Sequence, residues 1–254
     1  GCRVRLAHAA SRQAQYRYLL ALAQKRDAPF AVLYRNNDSA LPLIDALERA
    51  GLPYRCRSFD DTFFTHRIVC DVQDILCFAA APDDAERFLR IYYKFGAMIS
   101  KEAAQAACAQ SARTHASILD CLLAQAGLSD EGRERVRRLR AGFESLKTLP
   151  GEVLMRTIWG TLGYGSFVAE RRLDPGKYFI LHMLAAREPS AEGFLARLAA
   201  LRQTIRAHAD APGAPLTLST IHSSKGLEYE RVYLLDIHDG VLPSRPDAAD
   251  GAED

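Results

Sequence analysis

The chain has 254 residues, 48% hydrophobic and 25% charged, with a formal net charge of +2. That composition is ordinary for a soluble globular protein and allows one or two domains around an ample core. The near balance of charge argues neither for nor against nucleic acid, so any such contact must come from local patches. The six cysteines show no C-x-x-C spacing and no nearby histidine completes a zinc pattern, which points to reduced, packed thiols and a cytoplasmic protein. No apolar run is long enough to span a bilayer, and the N-terminus lacks a signal-peptide layout, so no membrane contact is expected.

In chain order, Arg3–His8 alternates and reads as a short strand. Ser11 suits the N-cap of a helix through about Lys25, with Tyr16, Leu19, Leu20 and Ala23 at helical spacing. Asp27-Ala-Pro breaks it. Phe30–Tyr34 (FAVLY) is a continuous apolar run, as in a buried parallel strand. Arg35, Asn36, Asn37 and Asp38 follow at its carboxyl end. Asp38 or Ser39 is placed to cap a helix over Ala40–Ala50, which Gly51 stops. Pro53–Arg57 reads as a third strand. Strands alternating with helices predict an α/β unit on a parallel sheet.

From about Ile68 to His208 the alternation vanishes and long amphipathic patterns appear. Asp84–Lys94, Lys101–Gln110, Thr114–Ala126, Asp130–Lys147, Glu152–Leu162 and Glu192–Ala207 read as helices. They form a helical insertion in the α/β domain, because strands resume at Leu216; residues 211–215 are the return linker. One of these helices crowds Arg133, Arg135, Arg137, Arg138 and Arg140. Such a row can track a DNA backbone. It is equally the solvated face of a charge-rich helix, with Glu131–Arg135 and Glu134–Arg138 at i,i+4 spacing.

Leu216–Ser244 reads as strand, tight turn, strand and loop, with Val232–Leu235 a short apolar run like a buried strand. Between the strands lies T-I-H-S-S-K-G-L-E, dense in hydroxyls. Backbone amides and hydroxyls at a strand end suit phosphate oxygens. Gly226 permits a backbone angle or a close approach that other residues resist. Glu228 can accept a hydrogen bond from a sugar hydroxyl. In parallel sheets ligands gather beyond the carboxyl ends of the strands. Arg35 and Asn37 lie at one such end, Thr220 and His222 at another. The bland alternative is a polar turn between two core strands.

Thr220, His222, Lys225, Gly226, Leu227, Glu228 and Tyr229, followed by Gly240 and Pro243, closely resemble motif V of superfamily 1 DNA helicases of the UvrD/Rep/PcrA type. The resemblance extends to A-V-L-Y-R-x-N at 31–37, G-L-P-Y at 51–54 and the Phe63-Phe64 pair, which are similar to the opening of the second motor domain of these helicases. Pro82-Asp83-Asp84 with Phe88, Leu89 and Arg90, and Gly163-Tyr164, resemble parts of its helical insertion. Two departures stand out. Asp38-Ser39-Ala40-Leu41 replaces the usual small-Gln-Ser-Arg continuation. Tyr93–Ser100 keeps Lys94 and Gly96 where many relatives carry a two-glycine loop that leads to duplex contacts.

The resemblance implies a RecA-like second motor domain over residues 1–70 and 211–254, interrupted by a mobile helical subdomain over 71–210. It places Thr220, His222, Arg35 and Asn37 on a single-stranded DNA track and Lys225, Gly226 and Glu228 at a nucleotide cleft. It implies a parent that is an ATP-dependent 3′-5′ DNA helicase of repair or recombination. That parent would use ATP and Mg²⁺, meet single-stranded DNA and a duplex junction, and close on an N-terminal motor domain in cis. No G-x-x-x-x-G-K-[ST] loop occurs in the 254 residues. The stretch is therefore expected to be a piece of such a parent, with no catalytic residue and no ATPase activity alone. The other class of function is a non-catalytic DNA-binding or protein-interaction module built on the same fold.

Overall fold

The computed structural model describes residues 4–25, 27–57, 60–207 and 213–237. The chain divides into two compact units, residues 1–63 with 200–254, and residues 64–199.

The first unit is a mixed α/β layer. Helix α1 (Arg12–Lys25) starts on Ser11, whose Oγ accepts the Ala14 amide at 3.1 Å. Strand β1 (Phe30–Tyr34) is buried along its whole length. Helix α2 (Leu41–Arg49) follows, then β2 (Tyr54–Cys56), and after the second unit β3 (Leu216–Thr220) and β4 (Val232–Leu234). The sheet order is β2-β3-β1-β4, and every pairing is parallel. The strand latest but one in sequence thus lies between the first two. Tyr233 packs edge-on against Phe30 (5.4 Å between ring centroids) and against Tyr18 of α1 (6.3 Å), so α1 covers the face of the sheet that carries those rings.

Four sequence expectations change here. Residues 4–8 form no strand, and Val4 stays 98% exposed. Alternation makes a strand only where a neighbouring edge supplies its hydrogen bonds. The helix after β1 is not capped by Asp38 or Ser39. Asn37–Ala40 forms a 3₁₀ turn that runs into α2, and Pro42 occupies the first helical turn, where its missing N–H costs nothing. The segment between β3 and β4 is no hairpin turn. Both strands run parallel to β1 on its two sides, so Ile221–Arg231 is a crossover. Finally, β4 is an edge strand, with Val232 and Leu234 exposed at 45% and 47% while Leu235 beyond it is buried. Gly240, Pro243 and the linker residues 211–212 lie outside the described residues.

The second unit is helical. Its segments are α3 (Thr62–Thr65, shared with the first unit), α4 (Arg67–Ala80), α5 (Ala85–Ile91), α6 (Lys101–Thr114), α7 (Ile118–Leu123), α8 (Asp130–Leu146), α9 (Gly151–Arg156), α10 (Tyr164–Glu170) and α11 (Gly176–Ala185). Helix α12 (Ala191–Ala207) carries the chain onward. Side-chain caps from Asp84, Ser100 and Ser129 fix the starts of α5, α6 and α8. The core helix is α4, absent from the sequence expectations. Ile68, Val69, Val72, Ile75, Leu76, Phe78 and Ala79 are all buried at helical spacing. The helix expected over Glu152–Leu162 changes character after Arg156, where Thr157–Thr161 widens into a π turn beside Trp159. Gly165 permits this, because a Cβ there would meet the Trp159 indole at 2.7 Å. The expected Thr114–Ala126 helix shortens to α7, since His115 turns into the left-handed region and ends α6.

Candidate functional site

The carboxyl ends of β1 and β3 end level with one another. Tyr34 and Thr220 are register partners, and the Ile221 amide donates to Tyr34 O at 2.9 Å. Arg35 therefore leaves the sheet beside the first residues of the crossover. This level edge follows from two apolar five-residue strands, each ending where polar residues begin.

The crossover opens with a compact turn built from its own hydroxyls. The Ser223 amide donates to Thr220 Oγ1 (3.1 Å), and the Thr220 hydroxyl meets Ser223 Oγ (2.8 Å). The Ser224 amide donates to Thr220 O (3.1 Å), while Ser224 Oγ donates to Ile221 O (2.8 Å). The amides of Lys225 and Leu227 donate to His222 O (3.3 Å) and Ser224 O (3.0 Å). Gly226 has φ +78°, and a Cβ there would meet nothing within 4 Å. Its glycine is explained by the left-handed angle, not by a close approach. From Leu227 the chain returns without regular structure to the amino end of the sheet, where the Ala31 amide donates to Arg231 O at 2.9 Å.

Arg35, His222, Lys225 and Glu228 are exposed, and Asn37 and Thr220 are half-buried. The structure brings Arg35, Thr220 and the turn of His222 and Lys225 to one edge. Glu228 sits farther along, on the return leg towards β4. Thr220 departs from the simple expectation of a free hydroxyl, because its Oγ1 already organises the turn with Ser223. Exposed cations beside a hydroxyl-rich turn can hold phosphate oxygens without a preformed cavity. Among the described residues no group of three His, Cys, Asp or Glu is placed to hold a metal ion.

Several residues at this edge were given no individual role by sequence reasoning. Ser223 and Ser224 shape the turn; the T-x-x-S spacing was the available signal. Tyr229, beside Glu228, buries its hydroxyl with no hydrogen-bond partner among the described residues. Asp236 is fully buried just beyond β4 at φ +56°, clamped by Arg12 of α1 (Nε to Oδ1 3.0 Å; Nη2 to Oδ2 2.9 Å). Gln15 Oε1 accepts its amide at 3.2 Å. Burial, then the Asp236 carboxylate, pushes the Tyr16 hydroxyl above its usual range, with Arg12 opposing. Below the edge, Tyr34 OH lies 3.9 Å from Cys56 Sγ in the core, and burial raises that thiol to about 11.

The arginine row of α8 resolves into local pairing. Arg133 donates to Leu123 O and Gln125 O (2.5 and 3.0 Å). Arg135 pairs with Glu131, Arg137 and Arg138 with Glu134, and Arg140 with Asp120. Lys94, retained from the loop compared above, points inward to Asp71 Oδ1 at 2.5 Å and is 4% exposed.

Comparison with known proteins fits this geometry. Residues 186–253 match the UvrD-like helicase C-terminal domain family. The chain is 26% identical over 222 residues to YjcD of Bacillus subtilis (strain 168), a protein assigned as an ATP-dependent DNA helicase; the match covers 84% of this chain and 29% of that protein. It is 24% identical over 261 residues to the ATP-dependent DNA helicase PcrA of the same organism, covering 92% of this chain and 34% of PcrA. The chain thus spans about a third of the length of these curated relatives. Family match, relatives and parallel sheet agree in a likeness to the C-terminal domain of UvrD-like helicases, carried at the family level by residues 186–253.

Proposed function

We propose that this chain is the DNA-coupling part of an ATP-dependent 3′-5′ DNA helicase or translocase of repair or recombination. The observation that carries the reading is the Tyr34–Thr220 register, which sets Arg35 beside the T-I-H-S-S-K-G-L-E crossover at one sheet edge. Arg35 and His222 contact single-stranded DNA phosphates there, with Asn37 and the Thr220–Ser223 turn positioning them. Lys225, Gly226 and Glu228, on the same crossover, border the nucleotide, Glu228 accepting from its sugar. A single short segment then touches both ligands, so closure of a cleft against an N-terminal motor domain shifts the DNA contacts. The helical unit is the inserted subdomain, expected over 71–210.

ATP, its phosphate charge neutralised by Mg²⁺, would supply the free energy of its hydrolysis when bound. The exposed ammonium of Lys225 and carboxylate of Glu228 fit phosphate and ribose edges. The sequence has no phosphate-cradling G-x-x-x-x-G-K-[ST] loop, so the nucleotide's remaining ligands belong to the N-terminal motor domain in cis. This chain alone hydrolyses no ATP. DNA-stimulated turnover by the chain, abolished in Glu228→Ala, would refute that statement.

The test of the DNA reading is fluorescence anisotropy of labelled oligothymidylate and of duplex DNA at two salt concentrations. Single-strand binding is expected, weakened several-fold by Arg35→Ala and by His222→Ala. Each lost phosphate contact lowers the salt slope by about 0.7. Binding unchanged in both variants would overturn the assignment.

A further inference from the structure

The densest arginine row of the helical unit, on α8, is spent on local partners. A sparser cluster is paired less closely. Phe167 of α10 has two guanidiniums near its ring, Arg67 at 5.3 Å and Arg171 at 5.8 Å from the centroid. They come from opposite ends of two elements, the start of α4 and the residue after α10. Tyr93 lies edge-on to the same ring, 5.9 Å between centroids, and the residue is 46% exposed.

The acids nearby do not neutralise this cluster. Asp71 is engaged by Lys94 at 2.5 Å and by the Tyr164 hydroxyl at 2.8 Å, and Arg67 Nε reaches it only at 4.0 Å. Among the described residues no carboxylate lies within ion-pair distance of Arg171. Behind Tyr93, Lys94 Nζ lies 5.3 Å from the ring centroid. The surface therefore presents an exposed aromatic ring beside two guanidiniums, held in place by a buried ring and a buried ion pair. An acidic protein partner would need the charges alone. An open ring among them adds a platform for a planar base, the combination by which single strands are held.

We propose that Tyr93, Arg67 and Arg171 form a single-stranded nucleic-acid contact on the helical unit. The Tyr93 ring stacks on a base and the guanidiniums meet the adjoining phosphates. This inference shares the nucleic-acid reading of the chain but uses none of the strand-edge residues.

The test uses the full 254-residue chain and labelled oligothymidylate in low salt, with an abasic deoxyribose-phosphate oligomer of equal length as second probe. Tyr93→Ala and Arg171→Ala each weaken oligothymidylate binding about tenfold, and Tyr93→Phe retains it. Arg171→Ala also lowers the salt slope by about 0.7. Both residues are exposed, so unchanged thermal melting accompanies these losses. The abasic oligomer binds more weakly and is indifferent to Tyr93→Ala. Equal binding of the two probes, or no effect of Tyr93→Ala, would overturn the proposal and leave a polyanion or acidic-protein surface. The two sites separate cleanly. Loss in the Tyr93 and Arg171 variants with none in Arg35→Ala and His222→Ala upholds this contact and refutes the strand-edge one. The opposite pattern does the reverse.

Discussion

Removing Lys94 should unfold the helical unit more readily than any surface charge change. Lys94 and Asp71 are 4% and 7% exposed and meet at 2.5 Å, and Tyr164 donates to the other carboxylate oxygen at 2.8 Å. Lys94→Met keeps the aliphatic volume and strips the cation. It leaves a buried carboxylate with one hydroxyl donor and a half-exposed guanidinium, Arg67, at 4.0 Å. Breaking a buried pair from one side costs about 3–5 kcal/mol. The two remaining neighbours place this case near the lower end, at about 3 kcal/mol. With a urea m-value of about 2 kcal/mol/M, the midpoint followed by circular dichroism at 222 nm falls by about 1.5 M. Adding Asp71→Asn removes the stranded charge while keeping an acceptor for Tyr164, and recovers most of the loss. Glu86→Gln, which breaks the exposed pair with Arg90, costs less than about 1 kcal/mol. A Lys94→Met penalty below about 1 kcal/mol, or no rescue by Asp71→Asn, would refute the buried-pair argument.

Gly151→Ala destabilises by about 3 kcal/mol or more, because its Cβ would stand 1.9 Å from Ala185 O and 2.7 Å from the Ala185 carbonyl carbon, both backbone. Gly160→Ala, with nothing within 4 Å, shifts the melting midpoint little, and comparable losses in the two variants would contradict this. Cys56 has a thiol pKa raised from 9.0 to about 11 by burial, with the Tyr34 hydrogen bond opposing. A raised pKa gives stability that is complete below the unfolded value and lost as pH rises through the folded one. About 3 kcal/mol is therefore shed between roughly pH 9 and 11. Urea titrations of Cys56→Val across that range should lack this component of the slope; an identical slope would show that the thiol does not contribute.

What could be read from the sequence was local. FAVLY and LTLST announce strands because a continuous or alternating apolar pattern needs a sheet to bury it, and both are strands here. Their polar successors, Arg35 and Thr220, fall at one edge because the strands end together. The failures have a shared cause, since each depends on a partner distant in sequence. Val232–Leu234 resembles a core strand, but nothing among the described residues pairs its outer edge. Helix α11 is apolar nearly all round, with Tyr178, Ile180, Leu181, Leu184 and Ala185 buried, so it lacks the two-faced signature of a surface helix. The turn after β3 was legible as polar and glycine-containing, but not as one leg of a crossover, because hairpin and crossover differ only in where the next strand pairs. Asp236 left no pattern, since its partners Arg12 and Gln15 lie more than 200 residues away.

The strand order carries a last consequence. Because β3 lies between β1 and β2, the residues of the first α/β unit cannot pair with each other until the chain returns at Leu216. Phe30–Tyr34 then finds β3 on one side and β4 on the other, and both are supplied by residues 213–237. Among the described residues, Tyr54–Cys56 has β3 as its only strand neighbour. Ending the chain at Ala207 thus removes every ladder hydrogen bond of β1 and β2 while leaving residues 64–199 whole. In hydrogen exchange, the amides of Ala31–Tyr34 and Tyr54–Cys56 should lose their protection in that truncated chain, while those of α4 and α8 keep theirs. Retained protection in β1 would mean that β1 and β2 pair directly without β3, and that the register setting Arg35 beside Thr220 is not what holds the sheet together.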